Sequence, residues 1–375
     1  MIVFVAEMRN PKTQASSTQI MTRNLLYGFH QLQKDTVFVP VIADIADKAD
    51  IAEYYSGLYS EIIFAIEKSK YKNNVILRQI SWLFNAWFPP ETIVPENILN
   101  IFGENENVIL ISQSPSVDAA ILCMVIKRRF PKIRYIQYWG DPLALSLITP
   151  EQYSIKRLLL KAIEKRLHKC ADSICYGTES LYAAEVELFP EISGKSYPCR
   201  VAYMPETMNS SVKNERIRFG YYGNYYQSIR NILPLYEAFA NVKGAELVIC
   251  GSSDLTLENT PNVQIVSRIP QSEVEEQEAK LDVEVCVLNS VGIQIPGKIF
   301  YHSNTEKKIL VVLDGPRKEK IKQELAKSER FIFCENNVQD IQRVVLEILD
   351  GKYSDMKFDH EYYSPNVVCK QIIGK

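Results

Sequence analysis

Hydrophobic residues along this chain form short apolar runs, each followed by a longer segment whose apolar positions recur with helical spacing. Short apolar runs are typical of strands buried on both faces, and i, i+3, i+4 spacing is typical of amphipathic helices. The predicted strands of the first half are 2–6, 36–42, 108–112, 133–138 and 173–176. The predicted helices are 17–32, 49–69, 115–130, 154–169 and 178–188. This alternation indicates a parallel sheet with helices on both faces.

A polar segment at 205–216 has no apolar periodicity, and the same alternation restarts after it. The predicted strands there are 217–222, 246–250, 263–265, 283–288, 309–313 and 331–334. The predicted helices are 229–240, 273–280, 298–304, 318–327 and 338–349, with weak helical character at 362–373. The fold class is therefore α/β, with two Rossmann-like parallel-sheet domains at 1–205 and 215–352. We expect them to face each other across a cleft, with ligands at the carboxyl ends of the strands.

Composition narrows the classes of protein that this chain can be. A net charge of −2 over 375 residues argues against a nucleic-acid binder. Eight cysteines without a Cys-x-x-Cys pair indicate free thiols in a reducing compartment. The chain begins with an apolar strand rather than a signal peptide, and its longest apolar run, 119–126, is too short to span a bilayer. We therefore expect a cytoplasmic protein.

A candidate phosphate site lies where a polar loop ends in Pro296–Gly297 and a predicted helix begins at Lys298. The start of a helix offers unpaired N–H groups and a partial positive charge. Lys298 adds a full positive charge there, although most lysines are simply solvated surface charges. The pattern predicts a diphosphate site in the second domain.

A second candidate element follows the predicted strand 217–222. Glycine at 223, followed by Asn224, allows the backbone to approach a diphosphate closely because no Cβ intervenes. Arg230, shortly after this loop, can direct its planar guanidinium at phosphate oxygens. The alternative for Arg230 is a surface position at the start of a helix.

These two segments resemble the donor-site signature of two-domain glycosyltransferases of the GT-B fold, especially the retaining family 4. In that family, Pro-x-Lys-hydrophobic-Phe leads into Gly-Lys-Pro-Ile-Leu, and Gly-x-x-Gly-Asn-x-Tyr with a downstream Arg-Asn opens the second domain. The matching residues here are Pro296, Lys298, Ile299, Phe300, 307–310, 220–226, Arg230 and Asn231. The resemblance extends over roughly 215–350 and is only architectural in the first domain.

The resemblance implies a retaining, metal-independent glycosyltransferase whose donor is a UDP- or GDP-linked sugar, with no further cofactor. The residues expected to hold the donor are Gly223, Asn224, Gly292, Ile293, Gln294, Ile295 and Tyr301. Lys298 and Arg230 would act in catalysis by stabilising the departing diphosphate. The sequence contains no Asp-x-Asp metal motif, so no metal ligand is predicted.

The chain departs from family 4 at both of its usual glutamates, where Ile293 and Tyr301 stand. The second glutamate commonly holds the ribose hydroxyls of the nucleotide. Two rival functions therefore stay open: a catalytically silent partner subunit of another transferase and, less favoured, a nucleotide-sugar epimerase of the same fold.

In the first domain, Asp141 follows a predicted strand within Gln-Tyr-Trp-Gly-Asp-Pro. By resemblance, a residue here faces the acceptor and the reacting sugar carbon, so Asp141 is the predicted acceptor-site residue. The alternative is a turn in which Asp141 caps the next helix. The resemblance also implies that the tail, 355–375, packs back on the first domain.

Two segments suggest contact with a membrane surface. Residues 76–88 are rich in tryptophan and phenylalanine, and a set of basic residues recurs along the helix predicted at 154–169. These basic residues are Arg157, Lys161, Lys165 and Lys169. Aromatic belts and cationic stripes suit anionic headgroups, although a core-facing helix and an ordinary solvated face give the same pattern. The resulting prediction is a peripheral enzyme at the inner face of the cell membrane. It would transfer a sugar to a saccharide or lipid-linked acceptor in surface polysaccharide synthesis.

Overall fold

The computed structural model describes residues 1–13, 16–66, 75–104, 107–146, 154–205, 215–356 and 359–374. The chain divides into two units. Unit 1 comprises Met1–Ala202 and Ser364–Lys375, and unit 2 comprises Tyr203–Tyr363. Each unit is built on an all-parallel sheet, which confirms the predicted fold class. Most of the polar segment predicted at 205–216 lies outside the described residues.

The described part of unit 1 contains an eight-stranded sheet. Its strands are β1 (Ile2–Met8), β2 (Thr36–Ile42), β3 (Glu61–Ile62), β4 (Ala65–Ile66), β5 (Ile109–Ser114), β6 (Arg134–Trp139), β7 (Ser173–Tyr176) and β8 (Ser196–Pro198). Its first seven helices are α1 (Ser17–Gln31), α2 (Lys48–Tyr54), α3 (Val75–Trp87), α4 (Glu96–Glu104), α5 (Val117–Arg129), α6 (Ile155–His168) and α7 (Glu179–Leu188). The strand order is β3-β2-β1-β5-β6-β7-β8, with β4 paired to β2.

Unit 2 contains a six-stranded sheet in its described part. Its strands are β9 (Ile217–Tyr222), β10 (Ala245–Cys250), β11 (Val263–Val266), β12 (Val283–Val287), β13 (Lys308–Leu313) and β14 (Ile332–Glu335). Its helices are α8 (Leu233–Ala240), α9 (Gln271–Ala279), α10 (Lys298–Tyr301), α11 (Lys318–Ala326) and α12 (Val338–Leu349). The strand order is β11-β10-β9-β12-β13-β14.

The last helix, α13 (Pro365–Ile373), belongs to unit 1 and packs on α1. Gly28 makes this approach possible, because a Cβ there would lie 2.4 Å from the carbonyl oxygen of Pro365. The Cys369 thiol also donates to the Leu25 carbonyl at 3.3 Å. The C-terminal segment therefore completes the core of unit 1.

One predicted element is wrong in type. The segment 49–69 was predicted as one helix, but α2 ends at Tyr54 and β3 and β4 follow it. Residues 67–69 of that prediction lie outside the described part of the chain. Gly57 lies between α2 and β3 at φ +78°, a left-handed conformation that ends helices and that glycine adopts without strain. The short strands pair with β2, so contacts distant in sequence override the local helical pattern.

The order of the strands in unit 2 reverses between β9 and β12. From β9 the chain proceeds outward through β10 and β11, and from β12 it proceeds outward in the other direction through β13 and β14. In open parallel sheets, the loops at such a reversal diverge and leave a crevice at the carboxyl ends of the strands. The loops after β9 and β12 are therefore the place to look for a ligand site.

Candidate functional site

Arg230 connects the two loops at the strand-order reversal. Its Nη1 donates to the Tyr221 hydroxyl at 3.1 Å and to the Asn224 carbonyl at 3.2 Å, in the region that ends β9. Its Nε and Nη2 donate to Oδ1 of Asn289, directly after β12, at 3.2 and 2.7 Å. Asn289 in turn donates from Nδ2 to the Gln294 carbonyl at 2.8 Å. One guanidinium thus fixes both loops, and the predicted residues Asn224, Arg230 and Gln294 come together.

Glycines allow the neighbouring loops to pack tightly against this pair. A Cβ at Gly251, after β10, would lie 2.0 Å from the Gly223 carbonyl oxygen. A Cβ at Gly315, after β13, would lie 2.4 Å from the Asn289 carbonyl oxygen. The Gly223 amide donates to the Cys250 carbonyl at 2.8 Å. That amide is therefore already used within the fold, and a role for Gly223 in holding a diphosphate stays a prediction.

The loop after β12 contains four of the residues predicted to hold the donor, 292–295. Gly292 is exposed and adopts φ +75°, whereas Ile293 is buried and Ile295 is partly buried. Gly220, by contrast, lies inside β9, where a Cβ would meet Leu281 at 2.4 Å. Gly220 is therefore a packing glycine of the sheet.

Lys298 forms an ion pair with Glu278 of α9. The Glu278 side chain is only 5% exposed, whereas that of Lys298 is 35% exposed. The Lys298 ammonium also lies 5.7 Å from the centroid of the Tyr222 ring. Burial opposes the charge on Lys298, but the attraction of Glu278 outweighs it and raises the pKa of the ammonium. The ammonium is thus fixed in a charged state while part of the side chain reaches the surface.

Further titratable groups surround this ion pair. His302 Nε2 lies 3.5 Å from Oε2 of Glu278, and burial lowers the pKa of His302 to about 4, so the ring is neutral near pH 7. Lys307 Nζ lies 3.9 Å from Oε1 of Glu284, and burial together with the Glu278 charge raises the pKa of Glu284 to about 8. Glu278 is therefore the main negative charge that Lys298 balances.

The helix that begins at Lys298 is much shorter than predicted. α10 has a single turn, and the amides of Ile299, Phe300 and Tyr301 donate to the carbonyls of Pro296 and Gly297. A single turn has only a small dipole, and these amides are already paired. Positive charge at this position comes from the Lys298 side chain.

Tyr301 packs its side chain against the loop that precedes it. Its side chain is buried, and a Cβ at Gly297 would lie 2.8 Å from the Tyr301 ring. Its carbonyl accepts the Met204 amide at 3.0 Å. A role for Tyr301 in holding a ribose stays a prediction.

Asp141, the predicted acceptor residue, is in unit 1 and follows β6 after Gly140. Gly140 provides space for Met21, whose Cε would lie 2.5 Å from a Cβ there. The next two amides, of Leu143 and Ala144, donate to the buried Glu164 carboxylate at 3.1 and 2.9 Å. The loop that carries Asp141 is therefore held at a defined position in unit 1.

Two residues of the unit 2 site were missed from the sequence. Asn289, the polar residue that links Arg230 to Gln294, stands directly after a predicted strand, a position where polar residues commonly reach ligand sites. No sequence pattern distinguished Glu278 as a site residue, because it is one of several glutamates in α9.

The segments considered for membrane contact form adjacent helices, α3 and α6. Their most exposed apolar residues are Phe84, Phe88, Ile155 and Leu158, each at least 60% exposed. Trp82 instead donates its indole N–H to Asp118 at 2.9 Å. Lys161 lies over the Phe189 ring, and Lys165 pairs with Glu191 at 2.7 Å. The exposed apolar side chains are thus the stronger feature, since two cations of the stripe have partners within unit 1.

Within the described residues, no helix has the length and apolar character required to cross a membrane.

Comparison with known proteins gives structural matches only. No protein-family model matches the chain, and no curated protein matches its sequence. The sucrose-phosphate synthase of Thermosynechococcus elongatus is similar with a TM-score of 0.60 and 10% identity, over 100% of this chain and 94% of that one. Anabaena HepE, solved in complex with UDP, gives 0.58 and 9%, over 99% and 95%. The lipopolysaccharide outer core galactosyltransferase WaaB gives 0.53 and 11%, over 98% and 94%.

UDP-N-acetylglucosamine 2-epimerases are also among the structural neighbours. At such low identities these likenesses establish the fold, which is that of GT-B glycosyltransferases and the related epimerases. They do not single out family 4.

Proposed function

We propose that this protein is a glycosyltransferase that binds a nucleotide-diphosphate sugar in unit 2 and transfers the sugar to an acceptor hydroxyl. The observation that carries the proposal is the hydrogen-bonded connection of Arg230 to both loops at the strand-order reversal. Structural neighbours that bind UDP or UDP-N-acetylglucosamine support this ligand class.

The proposed chemistry relies on position and charge. The bond between the anomeric carbon and the diphosphate oxygen breaks, and the acceptor oxygen bonds to that carbon on the same face. The acceptor proton passes to the departing diphosphate, so no strong protein base is required. Lys298 and Arg230 would stabilise the negative charge that develops on the leaving group, and Asp141 would orient the acceptor.

Binding of UDP and GDP by isothermal titration calorimetry, followed by nucleotide release from their sugar conjugates, tests this function. Arg230→Lys keeps the charge but loses the planar fork that reaches Asn224 and Asn289 together. We expect at least tenfold weaker binding, because charged hydrogen bonds contribute about 1.5–3 kcal/mol each. Arg268→Lys, at an exposed position of unit 2, is the matched control. Failure of the wild-type chain to bind either nucleotide would refute the proposal.

A catalytically silent partner subunit is the second candidate. It is favoured by Ile293 and Tyr301, two buried residues that stand where the resemblance places glutamates. Such a protein would bind the nucleotide and release none from any sugar conjugate, even with acceptors present. An epimerase would instead convert the sugar into an isomer of the same mass, which chromatography of the products would reveal.

We further propose that the acceptor is a saccharide or lipid-linked saccharide and that the apolar surface of α3 and α6 rests on the inner face of the membrane. The highly exposed Phe84 and Phe88 support this placement, because large exposed apolar side chains in a cluster mark interaction surfaces. WaaB, a neighbour that acts on a lipopolysaccharide core, supports the acceptor class.

A further inference from the structure

We propose that unit 1 contains a buried binding site for one divalent transition-metal ion of the Zn²⁺ type, formed by Glu164, His168 and Glu185. One potential ligand atom from each residue lies within 4.8 Å of the other two. The three residues are 0%, 1% and 0% exposed. This site is separate from the donor site proposed in unit 2 and does not depend on it.

The secondary structure places these ligands together. Glu164 and His168 are separated by one turn of α6, so their side chains lie on the same face of the helix. Glu185 comes from α7, the next helix along the chain. An i, i+4 pair on one helix with a third ligand from a neighbouring element is a common way to assemble a metal site.

Unpaired polar atoms give an independent indication of a ligand. Both carboxylate oxygens of Glu185 and Nδ1 of His168 are buried without a hydrogen-bond partner. Leaving such atoms unpaired in the interior is costly, and native proteins rarely do so without a bound ion or water. A metal ion held by one oxygen of Glu185 and one ring nitrogen of His168 would relieve part of this cost.

Glu164 and His168 also make hydrogen bonds that favour metal coordination. Each Glu164 oxygen accepts one backbone amide and keeps a further lone pair for a metal. Nε2 of His168 lies 3.4 Å from the Tyr176 hydroxyl, a contact that helps to orient the ring. Two of the three ligands, Glu164 and His168, are therefore held by hydrogen bonds before any ion binds.

The chemistry of the ligands selects the class of metal. An imidazole with two carboxylates suits Zn²⁺ and related transition metals, whereas Mg²⁺ and Ca²⁺ prefer oxygen ligands and retained water. Two carboxylates also neutralise a divalent charge in an apolar interior. The competing occupant is a proton, because burial raises the pKa of Glu185 to about 10 in the absence of a cation.

A bound metal would also stabilise the loop that follows β6. Glu164 holds the amides of Leu143 and Ala144, shortly after Asp141. Fixing the carboxylate fixes that loop, so the ion would have a structural role.

Metal analysis of the tag-free full-length chain tests the proposal. After growth with added Zn²⁺, inductively coupled plasma mass spectrometry should find about one zinc ion per wild-type chain. Glu185→Gln should reduce that content at least tenfold, whereas Glu187→Gln, exposed on the same helix, should leave it unchanged. Equal zinc content in wild type and Glu185→Gln would overturn the assignment, since the metal would then lie elsewhere.

A second measurement does not depend on the folding of any variant. The wild-type chain is unfolded in chelator and refolded with Co²⁺, and visible d–d absorption of four- or five-coordinate cobalt is the expected result. A chain that refolds by circular dichroism but takes up neither Co²⁺ nor Zn²⁺ would refute the metal site.

Discussion

Lys298 offers the sharpest test of the donor site, because a structural task and a proposed ligand task meet on one side chain. Its ammonium balances the buried Glu278 carboxylate, and it is proposed to hold the diphosphate. Lys298→Met alone would affect both tasks. Combining Lys298→Met with Glu278→Gln removes both charges and leaves groups of similar volume, so the structural task disappears and the ligand task can be measured alone.

The expected magnitudes follow from burial. Breaking a buried ion pair by removing one partner costs about 3–5 kcal/mol. Because the Lys298 side chain is 35% exposed, we reduce this cost to about 2–4 kcal/mol for Lys298→Met. The double variant should recover most of that stability. Loss of the charged contact to phosphate should weaken nucleotide binding by about 1.5–3 kcal/mol, or about 10- to 150-fold in Kd.

The assay combines urea unfolding with calorimetric titration of UDP and GDP for the wild type, both single variants and the double variant. Glu278→Gln alone should retain or improve affinity, because it leaves Lys298 without a competing carboxylate. A double variant that is as stable as the wild type and binds nucleotide equally well would refute the phosphate role. Lys298 would then serve only to neutralise Glu278.

Three further predictions concern other parts of the molecule. His302→Gln should reduce the loss of stability on acidification, by up to about 3 kcal/mol by pH 4. The pKa of His302 falls to about 4 on folding, so the unfolded chain takes up the proton first as pH drops through 6.5. If the free energies of unfolding in urea fell equally with pH for the wild type and the variant, this prediction would be wrong. Phe84→Ser with Phe88→Ser should lower co-sedimentation with anionic liposomes about tenfold, and Ile45→Ser, 59% exposed elsewhere in unit 1, should not. Gly251→Ala should destabilise the chain by about 2 kcal/mol in thermal unfolding, because its Cβ would collide with a backbone carbonyl; an unchanged midpoint would show that the loops can separate.

The sheets were predictable because each buried strand is an apolar run bounded by polar residues. The predicted bounds of β2, β7 and β9 coincide with the observed ones. β3 and β4 were missed, because two-residue strands carry no periodicity and form only by pairing with β2. Their existence depends on contacts that no local pattern encodes.

The candidate site was predictable where its residues follow strands directly. Asn224 and Arg230 follow β9 closely, and their hydrogen bond joins residues close in sequence. The partner of Lys298 was not predictable, because α9 contains several glutamates and only the packing of the helix determines that Glu278 faces inward. The length of α10 was also overestimated, since helical spacing continues past the residue where the turn ends.

The return of α13 to unit 1 makes unit 2 an insertion within the other unit. The first and last residues of unit 2 are hydrogen-bonded, Tyr203 N–H to the Tyr363 carbonyl at 2.9 Å. A segment whose ends meet can be excised as a continuous stretch, so 203–363 is a natural fragment for isolated expression. A fragment that stops at Ala202, by contrast, would leave the α1 surface around Gly28 uncovered and should aggregate unless the C-terminal helix is fused back to it.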